Sequence, residues 1–511
     1  MNHISNLPDD VLVRILSFVP AEQVLATSIL SKRWTLLLTL NLDFIQFSER
    51  FDNLSLDVRK RRFLEFVEHL IFLREAEQLL NLRLAFNINE FKDYSMKLGL
   101  LVRSVMTSNC CALDLDFTCR NVWCIPFLYP DNHEVCTLPP CSFFPHQSVT
   151  HLTLTHCEFI PSLYKSLHSI KIVKLKSVRL GEGAVYDLVS KCPCLEELHL
   201  VTCEFRSSSF KLHVQESDLK CLVFQSCYGT KDMGFKSFSI NIPSLLQLKY
   251  VGCMKDPFSI YDSDNLIEAD IIICDLELSN QQKLLFFDLL KSLHNIKILR
   301  LYFQHLQVLS ANSGSSLLTP FCNLKHLIVS IYPELVDEEL LGLMCLLRNT
   351  PCLEKLSVDF HLYIKECKDK MISSVYNVDG GTSLEPHLLP SDCVSHLMKI
   401  DIKNFQGLNS EMGFVRFMLQ KSPCLKDMVI FIRSRYEILI NGMGKSILML
   451  CRSKRTWLLR IYWLAHGYLQ MLKYSQVGDF FMSAHIQMNV FLFVYVPECW
   501  KVFRVIITAL F

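Results

Sequence analysis

The chain has 511 residues, half of them apolar and 20% charged, with 52 Lys and Arg against 51 Asp and Glu for a formal net charge of +1. That balance excludes a disordered or acidic-tail protein, and it lacks the basic excess that marks a nucleic-acid binder. A chain this long outgrows a single compact core unless its architecture repeats.

The first residues, Met1-Asn2-His3-Ile4-Ser5-Asn6-Leu7-Pro8, lack a basic segment followed by an apolar one. They are not read as a secretory signal, so the 22 cysteines are expected as reduced thiols in cytoplasm or nucleus. Pro8 ahead of Leu12, Ile15, Leu16 and Val19 predicts the first turn of a helix with one apolar stripe. Asp9 and Asp10 suit the positive end of its dipole, and Pro20 stops it. A second short helix is predicted over Glu22 to Ser28, and a third begins at Leu30-Ser31-Lys32-Arg33-Trp34. So small a helical unit needs a neighbour or partner to pack on.

Leu7-Pro8-Asp9-Asp10, with Leu12, Ile15, Leu16 and Phe18 after it, and then Thr27-Ser28-Ile29-Leu30-Ser31-Lys32-Arg33-Trp34, resembles the F-box of plant F-box/leucine-rich-repeat proteins. Leu37 and Leu38 stand where that family often has another tryptophan. The resemblance implies that residues 4 to 45 dock on a Skp1-type adaptor and, through it, a cullin. It implies Leu7, Pro8, Leu12, Ile15, Leu16, Leu30, Ser31 and Trp34 as contact or framework residues. An ordinary three-helix core would use the same side chains.

Further along, Phe63, Phe66, Val67 and Leu70 give one face of a helix that leads into Leu79, Leu82, Leu84 and Asn87. That spacing, L-x-x-L-x-L-x-x-N/C, returns weakly at Cys110, Leu113 and Leu115. Between 119 and 148 Pro126, Pro130, Pro139, Pro140 and Pro145 break periodicity, predicting a loop or an irregular repeat. From Val149 the copies are regular, with first positions at Val149, Ile170, Leu195, Leu219, Leu245, Leu266, Ile296, Leu324, Leu353, Leu397 and Leu425. The clearest is Leu195-Glu196-Glu197-Leu198-His199-Leu200-Val201-Thr202-Cys203. This is the core of a leucine-rich repeat: L-x-L is a short strand, and the Asn or Cys turns the chain inward. One such strand cannot bury its apolar face alone, so neighbours must stack. Helical returns are predicted at Ala184 to Ser190, Gln282 to Leu293 and Asp337 to Arg348, and an insertion holding Asp379-Gly380-Gly381 between Leu353 and Leu397. Cys157, Cys203, Cys227, Cys253 and Cys274 occupy the inward ladder position. The fold class is therefore α/β: an N-terminal three-helix F-box, then a curved leucine-rich-repeat solenoid of inner strands and outer helices.

Residues 390 to 435, with Leu389-Pro390-Ser391-Asp392-Cys393 at the start and Ser422-Pro423-Cys424-Leu425 near the end, resemble the FBD segment of many plant F-box/leucine-rich-repeat proteins. Physically this is one more strand-helix-strand unit, suited to closing a solenoid. After about residue 440 the pattern fails. Trp457 to Leu464 and Met488 to Val496 are apolar yet fit neither repeat nor family. The stretch from Phe480 to Pro497 has no Asp, Glu, Lys or Arg, but His485, Gln487 and Asn489 dilute it and no membrane span is expected. The predicted domains are 1–48, F-box; 49–380, solenoid; 381–440, FBD-like terminal unit; and 441–511, atypical apolar tail.

Catalytic signatures are missing. There is no paired C-x-x-C, no H-E-x-x-H, no phosphate-cradling glycine loop and no nucleophile elbow; Gly442-Met443-Gly444-Lys445-Ser446 has the wrong spacing for a phosphate loop. No cofactor or metal is expected. The sequence predicts a non-catalytic substrate receptor of a Skp1-cullin-F-box ubiquitin ligase, whose repeats hold a target protein of unknown identity. The alternative is a leucine-rich-repeat scaffold outside any ligase.

Overall fold

The computed structural model describes residues 7–16, 19, 39–73, 79–118, 136–137, 147–163, 167–229, 235, 237–253, 258–274, 278–310, 320–331, 337–360, 394–405 and 409–432, and the strand backbone of 446–453, 456–465 and 468–473. The predicted second and third helices, the insertion around Asp379 and the stretch from Phe480 to Pro497 lie outside those residues. The chain divides into two compact units, Met1–Asn265 and Leu266–Phe511.

In the first unit, helix α1 (Asp9–Leu16) precedes a ladder of eight parallel strands: β1 (Thr39–Asp43), β2 (Leu79–Ala85), β3 (Cys110–Asp116), β4 (His151–Thr155), β5 (Ile172–Lys176), β6 (Glu197–Val201), β7 (Cys221–Gln225) and β8 (Gln247–Gly252). The strand pairing sets the two leucine positions of every repeat in line. One column runs Leu40, Leu82, Leu113, Leu152, Val173, Leu198, Leu222, Leu248; the other runs Leu42, Leu84, Leu115, Leu154, Leu175, Leu200, Phe224, Tyr250. Every side chain in both columns is at most 4% exposed. Burial of each contributes about 1.5–3 kcal/mol, so the period-two pattern holds the register. The predicted first positions, Val149, Ile170, Leu195, Leu219 and Leu245, are buried beside them.

A turn closes each of four successive repeats in the same way. His156, Ser177, Thr202 and Ser226 follow their strands with φ of 56°, 52°, 51° and 51°, in the left-handed region. Each donates its backbone N–H to the carbonyl ending the next strand: Lys176 at 2.9 Å, Val201 at 2.8 Å, Gln225 at 2.8 Å and Val251 at 2.6 Å. The next residue then points inward, as predicted, and Cys157, Cys203 and Cys227 are buried. The Cys203 thiol donates to the Leu175 carbonyl at 3.3 Å and that of Cys227 to the Leu200 carbonyl at 3.4 Å. The later copies depart from this pattern, with Cys253 half-buried and Cys274 exposed.

The returns differ along the unit. Helices α2 (Phe44–Glu49), α3 (Leu56–Leu73) and α4 (Ser95–Met106) serve the early repeats, and α5 (Ala184–Lys191) matches its predicted span to within a residue. Between β6 and the end of the unit the returns are strands instead, pairing 209–213 with 237–241 and 237–241 with 258–261. Ser209-Phe210-Lys211-Leu212 and Ser237-Phe238-Ser239-Ile240 alternate with period two, which suits a strand and denies a helix its stripe. Phe210, Phe238 and Phe258 stack in series at 5.1 and 4.7 Å.

The second unit repeats the ladder with β9 (Glu268–Ile273), β10 (Ile298–Tyr302), β11 (His326–Ile331), β12 (Lys355–Phe360), β13 (Lys399–Phe405) and β14 (Asp427–Ile432), all parallel. Its returns are helices α6 (Asn280–Ser292), α7 (Phe303–Ser310), α8 (Asp337–Arg348) and α9 (Asn409–Lys421). A capping box starts α6: Ser279 Oγ accepts from Gln282 N–H at 3.3 Å while Gln282 Oε1 accepts from Ser279 N–H at 2.8 Å. Beyond β14 the sequence pattern fails but the pairing continues. Strands β15 (Ser446–Ser453), β16 (Thr456–Ala465) and β17 (Tyr468–Lys473) add on in antiparallel fashion. The apolar run from Trp457 is therefore strand, built on β-branched and aromatic residues, without the leucine spacing of a repeat.

Candidate functional site

Two surfaces are candidates, and the residues singled out from sequence lie on the first. On α1, the Leu12 N–H donates to the Pro8 carbonyl at 3.1 Å, so Pro8 opens the helix. The stripe splits: Leu12 and Leu16 are buried, whereas Val11 and Ile15, one turn apart, are 38% and 41% exposed. Pro8 is exposed and Leu7 half-buried. Leu30, Ser31 and Trp34 lie outside the described residues. Among the predicted contact residues the structure thus sets Leu12 and Leu16 in the core and leaves Pro8 and Ile15 facing out. Val11, absent from the sequence-derived set, joins them; its place one turn before Ile15 was the available signal.

The second surface is the outward side of the ladder, made by the residues between the leucines. At the start of the first unit, Arg83 on β2 binds Asp114 at 2.9 Å and Asp116 at 2.7 Å on β3. Burial opposes the Arg83 charge, but Asp114, Asp116 and Asp43 outweigh it and raise its pKa. Burial, with the neighbouring Asp116 charge, pushes the Asp114 carboxyl up against the pull of Arg83. Further along, Lys174 and Lys176 on β5 are exposed, His199 on β6 is half-buried, and its ring nitrogen Nε2 sits 3.4 Å from Glu197. Burial, together with Lys174, lowers the His199 pKa despite Glu197.

On the second unit's ladder the outward groups are largely tied to one another. Lys355 meets Asp401 at 2.7 Å and Lys399 meets it at 3.7 Å. His326 lies 2.8 Å from the Ser357 hydroxyl; burial first, then Lys355, lowers its pKa to about 4, leaving it neutral at neutral pH. Asn404, left-handed at φ 56°, donates to Asp359 at 2.6 Å across the ladder. None of these residues was nominated from sequence. Among the described residues no group of three His, Cys, Asp or Glu side chains is placed to hold a metal ion, and no helix is long and apolar enough to cross a membrane. Exposed, regularly spaced polar side chains on a rigid ladder suit recognition of an extended surface.

Comparison with known proteins fits this geometry. The family described as the At1g61320/AtMIF1 leucine-rich-repeat domain matches residues 129–451, from β4 of the first ladder through the whole of the second. The chain belongs to that family. The F-box domain model matches residues 4–40, the segment that holds α1. Among Arabidopsis thaliana relatives, the putative F-box/LRR-repeat protein At3g58920 is 25% identical over 455 residues, covering 83% of this chain and 92% of its own length. The F-box/LRR-repeat protein At3g58930 is 27% identical over 467 residues, covering 84% and 90%. The probable FBD-associated F-box protein At1g32375 is 25% identical over 439 residues, covering 85% and 93%. This F-box and leucine-rich-repeat pairing, spanning most of each relative, joins the two surfaces in one family architecture.

Proposed function

We propose that the chain is the substrate-recognition subunit of a Skp1-cullin-F-box ubiquitin ligase, non-catalytic in itself. The observation that carries this reading is the split stripe of α1 inside the F-box segment, where Val11 and Ile15 stay exposed beside a buried Leu12 and Leu16. A partner helix or groove covers such a pair in a stable complex. Residues 4 to 45 dock on the adaptor, and the adaptor brings the cullin. The outward ladder residues hold the target protein. The mechanism is proximity: a target held beside a charged ubiquitin-conjugating enzyme presents its lysine at high effective concentration. The unit β13-α9-β14 serves as an FBD-like last repeat, and the antiparallel strand β15 covers its outer edge. Cytoplasm or nucleus, where cysteines stay reduced, is the matching location.

Co-purification tests this. The full chain, mixed with a Skp1-type adaptor and then with the adaptor–cullin pair, is expected to elute with both at equal stoichiometry. Elution apart from the adaptor overturns the ligase reading and leaves a leucine-rich-repeat scaffold.

A further inference from the structure

The outward charges of the first ladder are not distributed evenly. Around β1 to β3 the carboxylates Asp43, Asp114 and Asp116 gather about Arg83, which two of them bind directly. On β5 the balance reverses. Lys174 and Lys176 stand exposed two residues apart on one strand, and among the described residues no carboxylate is paired with either. Nearby ion pairs are Arg179 with Glu204, Arg206 with Glu158, and Lys220 with Glu196, while Glu197 sits 3.4 Å from the His199 ring nitrogen. Beside the lysines lie neutral donors and acceptors: Thr153 on β4 and, above them, the Ser177 and Thr202 hydroxyls, 2.8 Å from each other.

Alternate residues of a strand project on one side, about 6.6 Å apart, and the same spacing separates alternate side chains of any extended peptide. We propose that the β4–β7 stretch of this ladder receives an extended acidic segment of the target protein, with alternate Asp or Glu carboxylates on Lys174 and Lys176. This inference rests on the receptor reading and names the class of target that reading leaves open. Charge complementarity of this kind governs partner choice and association rate more than affinity, and salt screens it.

The test uses the full chain and two labelled peptides, one with glutamate at alternate positions and a second with lysine in their place, in fluorescence anisotropy at low and physiological salt. The acidic peptide is expected to bind, at least about tenfold more weakly when salt is raised, and the basic peptide not to bind. Lys174→Glu with Lys176→Glu is expected to weaken acidic-peptide binding at least about 30-fold, whereas Lys291→Glu, away from the ladder, leaves it unchanged. Both lysines are exposed, so folding survives, and adaptor binding of the double variant checks it. Equal binding of the two peptides, no binding of the acidic one, or binding unaltered in the double variant overturns the inference. Adaptor binding without peptide binding rejects the acidic-segment inference alone. Peptide binding without adaptor binding rejects the ligase reading and keeps the recognition face.

Discussion

At the scale of single residues, three positions test how the ladder is held. His305 is fully buried in α7, where its Nδ1 accepts from the Tyr302 N–H at 2.9 Å and its ring stacks on Phe286 at 4.9 Å. Burial drives its pKa down from 6.5 to about 3. The unfolded chain therefore takes up a proton that the folded chain refuses, and stability falls as pH drops from about 6.5 toward 3, by up to about 1.4 kcal/mol per pH unit. In denaturant titrations between pH 7 and 4, His305→Phe should flatten that slope; an unchanged slope would show that His305 is not the group that resists protonation. Gly342 poses a steric question. A Cβ there would lie 1.8 Å from the Leu306 carbonyl oxygen of α7, so Gly342→Ala must push α8 off its neighbour and cost about 3 kcal/mol of unfolding free energy. Ser226 is the converse. It sits left-handed at φ 51°, where glycine is at ease, so Ser226→Gly is expected to raise the denaturation midpoint by the equivalent of about 0.5–1 kcal/mol. A lowered midpoint would mean that the serine side chain is worth more than the strain.

At the scale of elements, the repeat strand was legible because its two leucines and its Cys or Asn recur in fixed register. Leu82-Arg83-Leu84 aligned with Leu113-Asp114-Leu115 even predicts, once stacked, that Arg83 faces Asp114. The returns were less legible. Leucine spacing says nothing of what closes a repeat, so the alternating Phe210 and Phe238 segments became strands in a region where no return was specified from sequence. The stretch after β14 hid its strands for a related reason: pairing there is antiparallel and needs no repeat consensus. Which faces of α1 stay open was not readable either, since Leu12 and Ile15 are equally apolar and only packing separates them. Stacking also implies that damage spreads to neighbours. Leu200 sits between Leu175 and Phe224, so Leu200→Ala should cost about 2–5 kcal/mol and raise amide exchange in β5 and β7 as well as β6. Exchange confined to β6 would contradict the shared core.

At the scale of the whole molecule, the chain combines a small helical segment with two repeat ladders and asks no chemistry of either. What it does is decided by what each surface holds. In the proposed reading apolar side chains of α1 meet the adaptor and charged ladder residues meet the target, so the two contacts should respond to different changes. The most direct measurement is the affinity of the full chain for a Skp1-type adaptor, taken for the parent, for Val11→Asp with Ile15→Asp, and for Lys174→Glu with Lys176→Glu. Placing two charges in a desolvated apolar contact should cost at least about 2 kcal/mol each, so the first variant should bind roughly 700-fold or more weakly while the second binds as the parent does. Parent and first variant binding alike, or a parent that does not bind, would contradict the account.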